Sequence, residues 1–178
     1  VYRSFDDIIP SQYRGHSWNT NAAVEVKKIT KLPVISVGRI NDPRLAETII
    51  ASGKSDIVAM GRQSLTDPET PNKAEEGRFD EIRSCIACHH GCVKNLLNNV
   101  PIQCILNPTL GRESEVSLEK TAAPKNIMVI GSGPAGLEAA ITAASRGHRV
   151  KVFEKNRWAG GQFRIGAVPP GKGEMINY

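Results

Sequence analysis

All four cysteines of the chain fall within one short stretch, CIACHHGCVKNLLNNVPIQC, as Cys85, Cys88, Cys92 and Cys104. The spacing is Cys-x2-Cys-x3-Cys-x11-Cys. Thiols gathered in this way hold something, and that demand constrains the fold more than any other feature. Two close pairs would make disulfides, but nothing else suggests a secreted scaffold. Zinc sites usually come as two Cys-x2–4-Cys knuckles, whereas the second half here is the lone Cys104. Three clustered cysteines and one distant one form the iron–sulfur pattern, in which a short loop wraps three cluster corners and a later turn supplies the fourth. The spacing therefore favours a 4Fe-4S cluster, with zinc and with disulfide or redox thiols as the alternatives. His89 and His90 lie inside the loop. With four cysteines completing the ligand set, they read as surface or supporting groups.

Before this stretch the chain repeats itself. Residues 1–20 are polar and irregular, and Ala22–Lys31 places Val24, Val26 and Ile29 on a helical face. Leu32–Val37 (LPVISV) and Ser55–Met60 (SDIVAM) read as short buried parallel strands. The first ends in Gly38-Arg39 and then Asp42-Pro43; the second ends in Gly61-Arg62 and then Asp67-Pro68. Each Asp-Pro predicts a helix start, with Asp as cap and Pro at the first position. The first helix runs over Pro43–Ser52, with Gly53 closing it in a left-handed cap. These are two strand–loop–helix units with Gly-Arg at the carboxyl end of each strand, where parallel β/α architectures carry their chemistry. Glycine admits backbone N–H groups close to an anion, and arginine offers a bidentate clamp. The pairs read equally well as phosphate loops or as loop glycines beside solvated arginines. Residues 69–84 are charged and predict a surface helix leading into the cysteine stretch.

After the cysteines, residues 107–125 are polar, carry Gly and Pro, and read as a linker. Asn126–Ile130 (NIMVI) predicts a buried strand, followed at once by GSGPAG, with Gly131, Gly133 and Gly136 in Gly-x-Gly-x-x-Gly spacing. The helix from Pro134 to Arg146 is rich in alanine, Gly147 ends it, and Arg149–Phe153 is a second strand that closes on Glu154. A lone glycine motif is weak, but this one has its strand before it, its helix after it and an acid at the end of the next strand. That context makes it a dinucleotide fingerprint, with the pyrophosphate at the helix N-terminus and Glu154 on ribose hydroxyls. The Gly-Gly of WAGGQ, ending in Gly161 and Gln162, predicts another close backbone approach to the dinucleotide.

Composition excludes several classes. The chain has 178 residues, 40% hydrophobic and 23% charged, and no apolar run long enough to cross a bilayer. The N-terminus lacks a signal peptide's apolar core, and the cysteine usage points to a reducing, cytoplasmic compartment. The net charge of +5 includes no dense Lys/Arg run. Four thiolates on a dicationic cluster would offset it by about −2, so nucleic acid is not an expected partner.

The order of these segments resembles the family that joins an Old Yellow Enzyme-like FMN barrel to a 4Fe-4S segment and a flavin/nicotinamide module, as in 2,4-dienoyl-CoA reductase, 2-enoate reductase and the trimethylamine and histamine dehydrogenases. LPVISVGRINDP, DIVAMGRQSLTDP, CIACHHGC with Cys104, GSGPAGLEAA, EKNRWAGGQFRI and PPGKGE carry the resemblance. It implies an α/β chain: the last two βα units of a TIM barrel (residues 1–80), a cluster segment with linker (81–124), and the first βαβ of a Rossmann-like FAD/NAD(P)-binding domain (125–178). It assigns Gly61 and Arg62, with Gly38 and Arg39, to an FMN phosphate. It assigns Cys85, Cys88, Cys92 and Cys104 to the cluster. Gly131, Gly133, Pro134, Ala135, Gly136, Glu154, Gly161 and Gln162 go to FAD, or to ADP as in some relatives.

The resemblance implies electron flow from NAD(P)H to FAD to 4Fe-4S to FMN, and reduction of an activated C=C bond in an unsaturated small molecule. The three-residue gap between Cys88 and Cys92 is similar to the dienoyl and enoate reductases, whereas the amine dehydrogenases tend to two. An amine dehydrogenase is the nearest rival, and a non-enzymatic electron-transfer or zinc-binding module is a rival of another class. The family's proton donor and substrate anchor lie on earlier barrel strands, so the catalytic residues are unknown here. The chain is expected to be an internal fragment, inactive by itself, with exposed strand edges; its assembly into a homo-oligomer is left open.

Overall fold

The computed structural model describes residues 4–116 and 118–177. The first three residues of the irregular N-terminal stretch, Ser117 in the linker stretch and Tyr178 lie outside the described residues. The chain divides into two compact units, Val1–Gly111 and Arg112–Tyr178.

The first unit begins with α1 (Phe5–Ile8) and α2 (Thr20–Ile29), so the N-terminal stretch is less irregular than its composition predicts. β1 (Ile35–Val37) and β2 (Ile57–Ala59) pair in parallel, Ile35 opposite Ile57 and Val37 opposite Ala59. Between them runs α3 (Pro43–Ala51), capped by the Asp42 carboxylate, which accepts from the Arg44 N–H at 2.8 Å. Gly53 closes it in a left-handed conformation. Ile49 on its inner face is buried, and such burial stabilises by about 1.5–3 kcal/mol. On α2, the Thr20 hydroxyl meets the Ser36 hydroxyl of β1 at 2.9 Å in the interior.

The second Asp-Pro repeats the first only in part. α4 (Gly61–Thr66) starts directly at the end of β2, and Asp67 ends it rather than opening a new helix. The reason is steric: a residue before proline is pushed out of the helical region, and Asp67 sits at φ −145°. At Asp42 the same extended backbone precedes the helix and serves as its cap. The Asp67 carboxylate still accepts from the Glu69 N–H at 3.1 Å, as Asp42 does from Arg44, but the next helix starts only at Thr70, and the other oxygen binds Lys73 Nζ at 2.7 Å and the Arg83 N–H at 3.0 Å. The charged stretch after it is not one helix but α5 (Thr70–Glu75) and a 3-10 turn over Phe79–Glu81. α6 (Val93–Leu97) follows the third cysteine.

The second unit holds β3 (Asn126–Ile130), α7 (Pro134–Ser145), β4 (Arg149–Phe153) and α8 (Gln162–Gly166), ending in a 3-10 turn over Gly173–Asn177. β3 and β4 are parallel, Asn126 opposite Arg149 and Ile130 opposite Phe153. In both units the strands are parallel as expected, but they are covered on one face at most. Ile35 is 55% exposed and Ile130 79%. Among the described residues each sheet has two strands, and a parallel sheet of that width with helix on one face leaves its other face open. Among the described residues, no helix is long and apolar enough to cross a membrane.

Candidate functional site

Cys85, Cys88, Cys92 and Cys104 all line one small cavity and remain free thiols. The loop carrying the first three is brought onto the fourth at Gly91. A Cβ there would lie 2.5 Å from the Gln103 carbonyl oxygen, so only glycine permits the approach. The contact is closed by the Gln103 N–H, which donates to the Gly91 carbonyl at 3.0 Å.

Two side chains clamp the peptide of Cys85. Gln63 Oε1 accepts the Cys85 N–H at 2.8 Å, and Asn41 Nδ2 donates to the Cys85 carbonyl at 2.8 Å. Gln63 is almost wholly buried and also donates from Nε2 to Thr70 and to the Arg83 carbonyl, both at 2.9 Å. Asn41 and Gln63 each stand just beyond a Gly-Arg pair, so both strand–loop–helix units contribute to placing the first thiol. Neither was singled out in the sequence, where an Asn and a Gln beside a loop carry no signal of a partner more than twenty residues away.

The sulfurs receive hydrogen bonds of their own. The Ala87 N–H donates to Cys85 Sγ at 3.5 Å and the Leu106 N–H to Cys104 Sγ at 3.4 Å, with the Thr66 hydroxyl 3.6 Å from Cys104 Sγ. Amide donors aimed at sulfur suit thiolate ligands of an iron–sulfur cluster. Burial pushes the Cys85 and Cys88 thiols above their ordinary value. Loading a metal there displaces protons. Among the described residues, no three His, Cys, Asp or Glu side chains close tightly enough to grip a single metal ion.

A larger cavity of about 310 Å³ lies alongside, lined by Gly38, Arg39, Gly61, Arg62, Cys85 and Cys92 among others. The two Gly-Arg pairs meet in it, but they are not equivalent. Gly38 and Arg39 are both left-handed, and the Arg39 side chain is buried, with Nη1 donating to the Arg14 carbonyl. Gly61 instead opens α4, with open space where a Cβ would sit. The half-buried Arg62 donates from Nη1 to His89 Nε2 at 2.7 Å. A guanidinium only donates, so Nε2 accepts and the proton sits on Nδ1. The Pro10 carbonyl, 3.2 Å from the same nitrogen, is then a contact rather than a bond. Burial, reinforced by Arg62, holds His89 below its ordinary value. His90 is exposed.

In the second unit the glycine turn is tight. A Cβ on Gly136 would lie 2.1 Å from the Gly131 carbonyl oxygen, so the third glycine lets α7 close on the turn. Positions 131 and 133 face open space. Pro134 and Ala135 form the first turn of α7, whose N-terminal N–H groups lie beside that opening. The second glycine pair touches the first: the Gly160 N–H donates to the Ser132 carbonyl at 2.7 Å, and Gly161, at the cap of α8, lies against Gly133. Gln162 is exposed beside it. This is a cradle of backbone suited to a pyrophosphate.

Glu154 is already engaged by the protein. Its Oε2 accepts from the Ser132 N–H at 2.9 Å and hydroxyl at 2.8 Å, and Oε1 from the Asn156 N–H at 2.8 Å and side-chain amide at 3.0 Å. The Ser132 backbone bond, then the Asn156 bond, lowers its carboxyl to about 2. Ser132 and Asn156 were invisible as site residues in the sequence because their role lies in holding the acid.

Residues 4–81 match the family described as NADH:flavin oxidoreductase / NADH oxidase, and residues 126–178 match FAD dependent oxidoreductase. The chain is 44% identical to NADH oxidase of Thermoanaerobacter brockii over 98% of this chain and 27% of the relative. It is 44% identical to cinnamate reductase of Clostridium sporogenes over 81% of this chain and 22% of the relative. It is 32% identical to dimethylamine dehydrogenase of Hyphomicrobium sp. over 95% of this chain and 24% of the relative. Among solved structures, 2-naphthoyl-CoA reductase in complex with 2-naphthoyl-CoA superposes with a TM-score of 0.90 at 32% identity, over 94% of this chain and 26% of that one. Histamine dehydrogenase from Rhizobium sp. 4-9 gives 0.86 at 28%, over 94% and 25%. The chain spans about a quarter of the length of these relatives. The first unit thus matches the NADH:flavin oxidoreductase / NADH oxidase family and the second the FAD dependent oxidoreductases, and both are flavin-dependent oxidoreductases.

Proposed function

We propose that this chain is the electron-relay segment of a flavin- and iron–sulfur-dependent enoate or dienoyl reductase. In this reading its two strand–loop–helix units are the last two of a TIM barrel, and its second unit is the first βαβ of a Rossmann-like FAD domain. The observation that carries the reading is the shared cavity, in which both Gly-Arg pairs stand beside Cys85 and Cys92. Gly38, Gly61 and Arg62 present backbone N–H groups and a guanidinium to the phosphate of FMN, while the buried Arg39 braces the first loop. Cys85, Cys88, Cys92 and Cys104 hold a 4Fe-4S cluster, with Asn41 and Gln63 fixing the first of them. Gly131, Gly133, Pro134, Ala135, Gly136, Gly161 and Gln162 receive FAD, whose ribose must share Glu154 with Ser132 and Asn156. When bound, these groups supply hydride transfer and one-electron relay between NAD(P)H and an activated C=C bond. Four reduced thiols suit the cytoplasm.

A second reading, an amine dehydrogenase, rests on the likeness to the dimethylamine and histamine dehydrogenases. Anaerobic purification with iron, zinc and flavin analysis tests both. About four irons per chain, with a visible band that bleaches when NADH is added, supports the reductase. Bleaching by an amine but not by NADH favours the dehydrogenase. One zinc and no visible band sinks both.

A further inference from the structure

His89 belongs to the cysteine loop, yet its contact is with the neighbouring loop. It adopts φ +59°, a conformation costly for a residue with a side chain, and its ring meets Arg62. The resulting bond, Arg62 Nη1 to His89 Nε2, spans 27 residues at 2.7 Å. Arg62 lines both the large cavity and the thiol cavity, whereas His89 lines only the latter. Arg62 thus belongs to the wall shared by the two cavities, with anionic groups expected on either side. A long side chain in that position has several rotamers, and one acceptor behind it selects among them.

We propose that His89 is a positioning residue for Arg62, aiming its guanidinium into the large cavity toward the flavin phosphate. This inference rests on the FMN reading given above. Because a guanidinium only donates, His89 Nε2 contributes the acceptor lone pair of that bond and directs Arg62 through it. The site selects for the phosphate of the flavin and not for its ring. The order of the cysteine loop thereby contributes to flavin affinity.

The test compares FMN with riboflavin, which lacks the phosphate, on the purified holoprotein after flavin removal, with iron content measured in parallel. H89L and H89Q share the same left-handed backbone, so they carry the same conformational cost. Only glutamine retains an acceptor. The expected result is that H89L weakens FMN about tenfold, leaves riboflavin and iron unchanged, and is rescued by H89Q. Equal weakening of both flavins, with or without loss of iron, overturns the inference, because His89 then holds the loop and not the arginine. So does an unchanged FMN affinity accompanied by a shifted cluster potential, which assigns Arg62 to the thiol side. Failure of the wild-type protein to discriminate FMN from riboflavin, with iron in place, removes the FMN phosphate site itself and the proposal above with it.

Discussion

At the scale of single residues, the sites depend on atoms that leave no room for change. Gly91→Ala forces a Cβ against the Gln103 carbonyl, a backbone atom that has no rotamer to escape by. The substitution is expected to cost about 1–3 kcal/mol in the first unit and to lower bound iron, as thermal melting and metal analysis would reveal. Glu154 gives a pH prediction. Its carboxyl lies at about 2 in the folded chain against an ordinary value of 4.5. The depressed value means that its bonds to Ser132 and Asn156 favour folding in full above about pH 4.5 and are lost as pH falls toward about 2. Amide exchange at Ser132 should therefore accelerate through that window, and Glu154→Gln should flatten the profile. An unchanged profile in the variant would place the loop's order elsewhere.

At the scale of elements, the local signals and the long-range ones part company. Asn126–Ile130, the glycine turn, α7 and β4 follow from a strand, turn and helix pattern contained in thirty residues, and they form as that pattern predicts. Asp67-Pro68 misleads because the same dipeptide starts a helix or ends one according to what precedes it. Here Gly61 had already opened α4. The seat of Cys85 was illegible because Asn41 and Gln63 reach it from other elements. The cost of losing that seat is specific. Gln63→Leu keeps the volume but strands the Cys85 N–H and the Arg83 carbonyl in the interior, so unfolding free energy should drop by about 1–3 kcal/mol. A melting temperature equal to that of the wild type would show that water or a neighbour replaces the amide.

For the whole molecule, the two units have different dependencies. The thiols and both Gly-Arg pairs belong to Val1–Gly111, and the glycine fingerprint belongs to Arg112–Tyr178. Removing iron by chelation should raise hydrogen exchange across the first unit and leave the β3–α7–β4 segment unchanged. A loss of protection in both would mean that their stabilities are joined. The open faces of both sheets were not legible from strands as apolar as LPVISV and NIMVI. Such runs report what a strand is suited to pack against, and the packing itself is a property of the layers around it.

The grip of Asn41 and Gln63 on the peptide of Cys85 also determines how portable the thiol motif is. A stretch of twenty residues with the right spacing looks like a module that could be cut out and transplanted into another scaffold. Its first ligand, however, is held in place by two amides that the stretch does not contain. Moved alone, it would keep its spacing and lose its geometry. A peptide of residues 85–104 should take up iron weakly and heterogeneously under conditions in which the intact chain loads uniformly.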